Sequence, residues 1–508
     1  MSCPPGPKSS EPGTWRSQHP SPSFDVAVIG AGVVGAAIAR QLSHYRMKVV
    51  WLEAGADVGT GTSKANTAIW HSGFDATPGS LEGRLLQRGH GMLAAYSKLA
   101  GIPLQTTGAL MVAWNNEQLE ALPEIRDRAE RNGYSDLRLL EPDALLALEP
   151  NLGSGAQGGL LIPEEGILCP FTTPLALATD AVLNGVDLRL LHPVTQVKPL
   201  DASYLLSGPD FEVEAAYVVN AAGLHADAVD SLFCSPRIEV RPRRGELIVY
   251  DKAARSLIQH ILLPVPSSMG KGVLVAPTVF GNLLLGPTAE DVTSPYATDT
   301  TADGIRYLVT RGRELVPRLE TQDVTALYAG VRAATQFSDY QIRADGPERY
   351  VLVGGIRSTG LSSSLAIGEH VRDLLDGLGC RLVPTPNPMQ ATMPNLGEVD
   401  LRPYQNSRAM AADPDYGRIV CHCESVTRAE ILAACAAPVP ARSLDGVSRR
   451  TRAMLGRCQG FYCAAQVLRL FAAATGCDIP AVTGLTTDPV GAPLSAVDPE
   501  LIRVSPLG

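Results

Sequence analysis

Apolar positions come in short, dense blocks near the start of the chain. Residues 25–29 form an apolar β-type run, residues 36–44 have helical composition, and residues 48–52 form a second run that stops at Glu53. Runs this short and this apolar fit strands buried on both faces, and the segment between them fits a crossover helix. The pattern predicts a β–α–β unit. Helical spacing of Leu and Ala recurs at 81–99 and 117–132. Strand-like runs recur at 109–113, 159–162, 213–220, 246–250, 273–277, 282–286 and 350–353. The last of these enters a glycine turn and a helix at 365–375. Proline-rich sequence from 383 to 403 reads as a linker, and a compact cysteine-bearing segment follows from about 418 to 477.

A chain of 508 residues exceeds what one core holds, so two or three domains are expected. Residues 1–23 are rich in Pro, Ser and Gly and lack the apolar stretch of a secretory leader; they read as a disordered tail. No run approaches the ~18 apolar residues of a membrane helix. The expectation is a cytoplasmic protein, with membrane association only through a partner. With 43 basic and 52 acidic residues the net charge is −9, which argues against nucleic-acid binding.

Gly30-Ala31-Gly32-Val33-Val34-Gly35 fits G-x-G-x-x-G between the first strand and its helix. Gly30 permits the tight turn, Gly32 lets backbone approach a pyrophosphate, and Gly35 lets the helix pack closely. The helix N-terminus then faces the phosphates with its partial positive charge. Glu53, 18 residues beyond Gly35, can accept from both ribose hydroxyls and would repel a 2′-phosphate. Two distant segments argue for FAD over NAD. Gly61-Thr62-Ser63-Lys64-Ala65-Asn66 is small and polar and can wrap a pyrophosphate. Gly354-Gly355-Ile356-Arg357-Ser358-Thr359-Gly360-Leu361-Ser362 opens a late helix whose N–H groups can stabilise negative charge on a reduced flavin.

Six of the ten cysteines lie between Cys421 and Cys477. In a chain without a secretory leader, such clustering points to metal more than to disulfides. Cys421-His422-Cys423 and Cys458-Gln459-Gly460-Phe461-Tyr462-Cys463 give C-x-C, 34 intervening residues, then C-x4-C. Four thiolates suit zinc or a [2Fe–2S] cluster, and the spacing lacks the C-x2-C pairs that structural zinc prefers. Arg449, Arg450, Arg452 and Arg457 are read as cations that stabilise the thiolates. Cys435 and Cys477 are read as buried structural thiols.

Residues 24 to about 380 resemble the FAD-dependent family that includes D-amino-acid oxidase, glycerol-3-phosphate dehydrogenase and L-2-hydroxyglutarate dehydrogenase. Within it they are similar to the branch typified by the flavin-bearing chain of the anaerobic glycerol-3-phosphate dehydrogenase. The resemblance rests on Thr62-Ser63-Lys64-Ala65-Asn66, His71-Ser72-Gly73-Phe74-Asp75, Val219-Asn220-Ala221-Ala222-Gly223, Gly270-Lys271-Gly272 through Pro287, Ala329-Gly330-Val331-Arg332 and the late glycine turn. Cys421-His422-Cys423-Glu424-Ser425-Val426-Thr427 and Arg450 through Gly460 resemble the bacterioferritin-associated-ferredoxin-like [2Fe–2S] domain.

The resemblance implies an α/β and α+β fold. A Rossmann-like FAD-binding domain is interleaved with an antiparallel-sheet substrate domain, and a small helical [2Fe–2S] domain follows. The implied boundaries are 24–382 for the flavin domain with a substrate part at about 236–325, a linker at 383–417, the cluster domain at 418–480 and a tail at 481–508. FAD contacts are implied at Gly30, Gly32, Val33, Val34, Gly35, Glu53, Thr62, Ser63, Asn66, Val197, Ala222, Gly223, Gly355, Gly360, Leu361 and Ser362. Cluster ligands are implied at Cys421, Cys423, Cys458 and Cys463.

A flavin and a cluster together imply a dehydrogenase that takes hydride from a small anionic hydroxy substrate and passes electrons singly to an acceptor protein. Arg332 is the expected anion clamp, with Arg357 and Lys271 as further candidates. His71 is expected to take the hydroxyl proton as a neutral imidazole, to bond the flavin, or to attach to it covalently. Better-known glycerol-3-phosphate dehydrogenases carry an Arg just after this histidine, where this chain has Phe74-Asp75, an acid that would repel phosphate. The segment His71-Ser72-Gly73 is also similar to L-2-hydroxyglutarate dehydrogenases. Glycerol 3-phosphate is the first expectation and a 2-hydroxy acid or amino acid the alternative. The readings from other classes are a zinc-bearing regulatory protein and a non-catalytic electron-transfer subunit.

Overall fold

The computed structural model describes residues 23–266, 272–398 and 401–477. Residues 1–22 and 478–508, and with them most of the two expected tails, lie outside the described residues, as does Lys271.

The first sheet is built around β1 (Ser23–Ile29), which pairs in parallel with β2 (Val49–Leu52) on one side and with the strand Phe211–Asn220 on the other. Val26, Ala27, Val28 and Ile29 are buried, as a strand covered on both faces requires. Tyr350–Gly354 and Asp187–Arg189 extend the parallel set. Gln196–Pro199 and Tyr204–Gly208 add an antiparallel edge. Helix α1 (Val33–Ser43) packs against the late helix Gly360–Gly377. Their approach is close: a Cβ at Gly368 would stand 2.9 Å from the Ala37 carbonyl oxygen.

The second sheet has nine strands and is almost wholly antiparallel. Its longest pair joins Val240–Tyr250 to Val324–Thr335. Its strands come from two stretches of chain. Ala109–Ala113, Arg138–Leu140 and Gly158–Ile162 supply one flank, and residues beyond 240 supply the other. The stretch 236–325, expected as the substrate part, therefore makes only part of this sheet, because Ala109–Ala113 pairs in parallel with Ile261–Pro264 and ties the halves together.

The proline-rich stretch is a packed strap. Proline removes N–H donors and prevents helix, so the strap runs extended and bonds to what lies beneath. Ala391 N–H donates to Asp180 at 2.5 Å, Met393 N–H to Ala100 O at 2.8 Å, and Leu396 is buried. It leads into a domain with a two-stranded hairpin, Ile419–Cys421 and Val426–Thr427, and helices Arg428–Ala436, Leu444–Thr451 and Ala464–Thr475. Thr427 and Glu430 form a capping box at the first of these helices. Val420, Val426, Ile431, Val447, Val467 and Phe471 make the domain's own core. Among the described residues no helix is long and apolar enough to cross a membrane.

Candidate active site and cluster centre

The nucleotide cradle begins where β1 ends. Gly30 has φ +100°, which side chains resist, and a Cβ there would stand 2.6 Å from the Ala221 carbonyl oxygen. A Cβ at Gly35 would stand 1.9 Å from Gly30 O, so the helix can reach the turn only through glycine. Trp51 Nε1 donates to Gly30 O at 2.9 Å and pins the turn. Gly32 has only the Ser63 hydroxyl near it, and a Cβ at Gly61 or Gly223 would meet open space. Backbone is thus exposed where a pyrophosphate needs it and jammed elsewhere.

Glu53 accepts from Ala31 N–H at 2.5 Å and Gly55 N–H at 2.6 Å. Burial raises its pKa, and the two backbone donors oppose that rise. Each oxygen keeps a second lone pair for a ribose hydroxyl. Ser63 accepts from Val33 N–H at 2.9 Å, at the start of α1. Thr62 donates to Val331 O at 2.6 Å, and Asn66 folds its own loop by donating to Ser63 O at 2.8 Å. Val34 is half-buried beside these groups. Val197 lies on the antiparallel edge, opposite Leu206. Ala222 and Gly223 follow the long strand, with Gly223 at φ +57°. Gly355 has φ +69°, and Gly360, Leu361 and Ser362 form the first turn of the late helix. These residues fit FAD: glycine cradle, acid, hydroxyls and a second helix N-terminus all border one loop system.

His71 is joined to that helix, since its N–H donates to Ser362 Oγ at 2.8 Å. Both ring nitrogens meet acids. Nδ1 is 2.9 Å from Glu165 Oε1, and Nε2 is 3.1 Å from Asp75 Oδ1. Burial alone would lower the imidazole pKa, but the two carboxylates outweigh it and hold it at about 10. Burial would likewise raise Glu165, yet the His71 cation and the donors of Ser72 leave it lowered. Glu165 Oε1 also accepts from Ser72 N–H at 2.7 Å and its hydroxyl at 2.6 Å, while the buried Oε2 has no partner among the described residues. The neutral imidazole expected from the sequence is therefore replaced by an imidazolium between two carboxylates. Glu165 carried no sequence signal, standing 94 residues from His71 with no motif between them. Asp75 faces a cation, which removes the ground for reading it as a bare repellent of phosphate. Phe74 is core, its ring edge-on to His71.

Arg332 lies on the strand Val324–Thr335, next to the residue that Thr62 bonds. It is half-buried, donates from Nη2 to Thr288 O at 3.0 Å, and forms no ion pair among the described residues. Burial and Arg243 lower its pKa, and the Asp291 carboxylate nearby only partly offsets them. Gly330 allows this approach, since a Cβ there would stand 2.0 Å from Ala65 O. Arg357 differs. It is engaged by Glu82 at 3.3 Å and by Ser338 O at 2.5 Å, so its charge is already matched.

In the C-terminal domain the thiol of Cys423 lies against that of Cys458, and the thiol of Cys421 against that of Cys463. Among the described residues no three His, Cys, Asp or Glu side chains converge on one point as a single ion needs. Two pairs match two irons, each taking two thiolates. The Tyr462 N–H, with those of Gly460 and Phe461, lowers the Cys458 pKa. Gly456 lets the loops meet, since a Cβ there would stand 2.4 Å from Cys423 Cβ. Phe461 and Tyr462 are exposed between Cys458 and Cys463. Arg457 acts on the Cys423 thiol, as expected, but all four arginines also bond to carboxylates. Arg449 and Arg450 bond to Asp57, Arg452 to Glu424 and Arg457 to Asp251. Cys435 is half-buried and Cys477 exposed, so Cys477 is not the buried thiol expected.

Comparison with known proteins bears on both halves. The FAD dependent oxidoreductase family matches residues 25–374, and the BFD-like [2Fe-2S] binding domain matches residues 419–473. A glycerol 3-phosphate dehydrogenase of Caloramator mitchellensis is 36% identical over 459 residues, covering 90% of this chain and 95% of its own length. A glycerol 3-phosphate oxidase of Mycoplasma pneumoniae is 32% identical over 375 residues, covering 72% of this chain and 96% of its own. The structure of dithionite-reduced L-alpha-glycerophosphate oxidase from Mycoplasma pneumoniae, with FAD bound, matches with a TM-score of 0.70 at 30% identity, over 73% of this chain and 99% of that one.

Proposed function

Because this chain belongs to the FAD-dependent oxidoreductase family and binds FAD and a [2Fe–2S] cluster, we propose that it oxidises the secondary alcohol of glycerol 3-phosphate and sends the electrons through its cluster to an acceptor protein. The observation that carries this reading is Arg332, a half-buried guanidinium with no ion pair among the described residues and donors to spare. Such a group calls for an anion, and a phosphate meets its fork bidentately. The similarity to glycerol 3-phosphate enzymes over 90% of the chain supports phosphate over carboxylate.

The bound flavin supplies the hydride acceptor. Arg332 then binds and orients the substrate's anionic end. The group Glu165–His71–Asp75 carries a net −1 with the imidazole protonated, so the hydroxyl proton goes to one of its two carboxylates, which the His71 cation holds in place. Ser362 holds the His71 backbone to the late helix and fixes where that proton goes. The exposed loop at Phe461 and Tyr462 leaves the cluster's side of the molecule accessible, which supports exit of electrons to a protein partner.

An anaerobic visible spectrum tests this, taken before and after excess glycerol 3-phosphate and then excess L-2-hydroxyglutarate. Bleaching of the flavin by the first is the expected result. Bleaching by the second alone assigns Arg332 to a carboxylate and makes the chain a 2-hydroxy-acid dehydrogenase. Intact bands after both overturn the substrate assignment.

A further inference from the structure

The loop from Glu53 to Lys64 touches two parts of the molecule. Glu53 and Gly55 form its nucleotide end, Gly59 N–H donates to Ala31 O at 2.8 Å inside the glycine turn, and Ser63 caps α1. Between these contacts Asp57 points the other way. Its carboxylate is 2% exposed and accepts from Arg449 Nη2 at 2.6 Å and from Arg450 Nη1 and Nη2 at 2.6 and 2.8 Å. Arg449 Nη1 donates to Val58 O at 2.9 Å. The two guanidiniums are themselves buried, and both come from the cluster domain's helix Leu444–Thr451. Lys64 reaches Asp445 of the same helix at 3.5 Å. The other charged contacts across the interface, Arg457 with Asp251 and Lys252 with Glu424, include exposed or half-exposed partners.

We propose that Asp57 is a positioning residue that seats the cluster domain on the nucleotide loop and so holds flavin and cluster at one fixed separation. This rests on the reading that electrons pass from flavin to cluster. Contacts between domains of one chain resemble transient interfaces, so relative motion is the default unless something buried prevents it. Three charge-assisted hydrogen bonds to one buried carboxylate do so, and removing that carboxylate leaves Arg450 without its ion-pair partner and Arg449 with Asp445 alone. Electron transfer falls steeply with distance, so a loosened seat slows that step and leaves substrate oxidation alone. Each alcohol oxidised delivers two electrons as hydride to the flavin and one proton to the protein. The cluster takes the two electrons one at a time, and ferricyanide, added as a one-electron acceptor, removes each.

The test uses full-length holoprotein with Asp57→Asn. Glycerol 3-phosphate is mixed in anaerobically, and flavin and cluster absorbances are followed separately. Trypsin cleavage at the exposed Arg408, in the short helix Ser407–Ala412 that follows the strap, is timed in parallel. Flavin reduction should stay within about two-fold of the parent. Cluster reduction by substrate should slow about ten-fold or more, with faster cleavage at Arg408. Dithionite should reduce the cluster of both proteins equally, which a merely damaged cluster domain would not show, and Asp57→Glu should recover part of the rate. Unchanged cluster reduction with an equally protected Arg408 overturns the proposal. A parent protein whose flavin bleaches while its cluster stays oxidised refutes the electron-flow reading instead, and the cleavage rates then decide the seating alone. Should Asp57→Asn fail to fold with both cofactors, Asp445→Asn decides, with an expected slowing of about two- to three-fold. No slowing there counts against the seat.

Discussion

At the late glycine helix, His71 lies between the carboxylates of Glu165 and Asp75. At the domain interface, Asp57 lies between the guanidiniums of Arg449 and Arg450. Both are buried triads with one central charge and two opposite neighbours, and both gather residues far apart in sequence. They differ in what can titrate. Imidazole and carboxylate exchange protons within the range an enzyme experiences, whereas guanidinium stays charged. The first triad is suited to moving a proton, and the second, with two fixed cations, to holding position. The difference teaches that burial and pairing alone do not mark a catalytic group; the ability to change protonation does.

The comparison breaks most sharply at His71. His71→Asn should lower substrate-driven flavin bleaching by about 10²–10⁴-fold with both cofactor spectra intact. A rate near that of the parent would take the triad out of the proton path. Next comes Glu165→Gln, which leaves the imidazolium short of one buried partner and should cost about 3 kcal/mol in denaturant unfolding. Equal stability would mean that the triad is not charged as drawn.

A smaller effect separates the triads by pH. The folded His71 pKa of about 10 lies above its ordinary value, so the stability it contributes is complete below ~6.5 and is lost as pH rises through about 10. The melting temperature should fall across that window, and His71→Asn should flatten the fall. Arginines contribute no slope there, so a matching change in Asp57→Asn would contradict the distinction. The smallest effect is that of salt. Adding salt should weaken the partly exposed Lys64–Asp445 pair by about 0.2–1 kcal/mol and leave the Asp57 seat unchanged, as a double-mutant cycle would read.

The nucleotide cradle was legible because its parts are contiguous. A glycine turn, its helix and Glu53 obey local rules that a short window displays. The cysteine pairs were legible for the same reason. The long pair Val240–Tyr250 and Val324–Thr335 was only half visible, since its alternation extends beyond the apolar runs at 246–250. Glu165 and Asp57 were not legible at all. Their partners stand 94 and 392 or more residues away, and a lone acid looks alike in a loop and in a buried pair. The arginines at 449–452 were seen but misread, because sequence proximity to cysteines does not reveal which way a guanidinium points. The packing of the linker was not legible, because proline richness predicts extended chain without saying whether it packs.

Arg452 lies over the Phe280 ring, its guanidinium carbon 3.9 Å from the centroid, and Phe280 stacks in turn on Phe171. The C-terminal module is contiguous in the gene, but the seat it occupies is written at residues 57, 251, 252 and 280. Recombination that carried the module onto another flavoprotein would deliver a cluster without its socket. Loss of the module would leave a buried acid and an aromatic ring facing water. A chain without the module would need a different surface at these four positions.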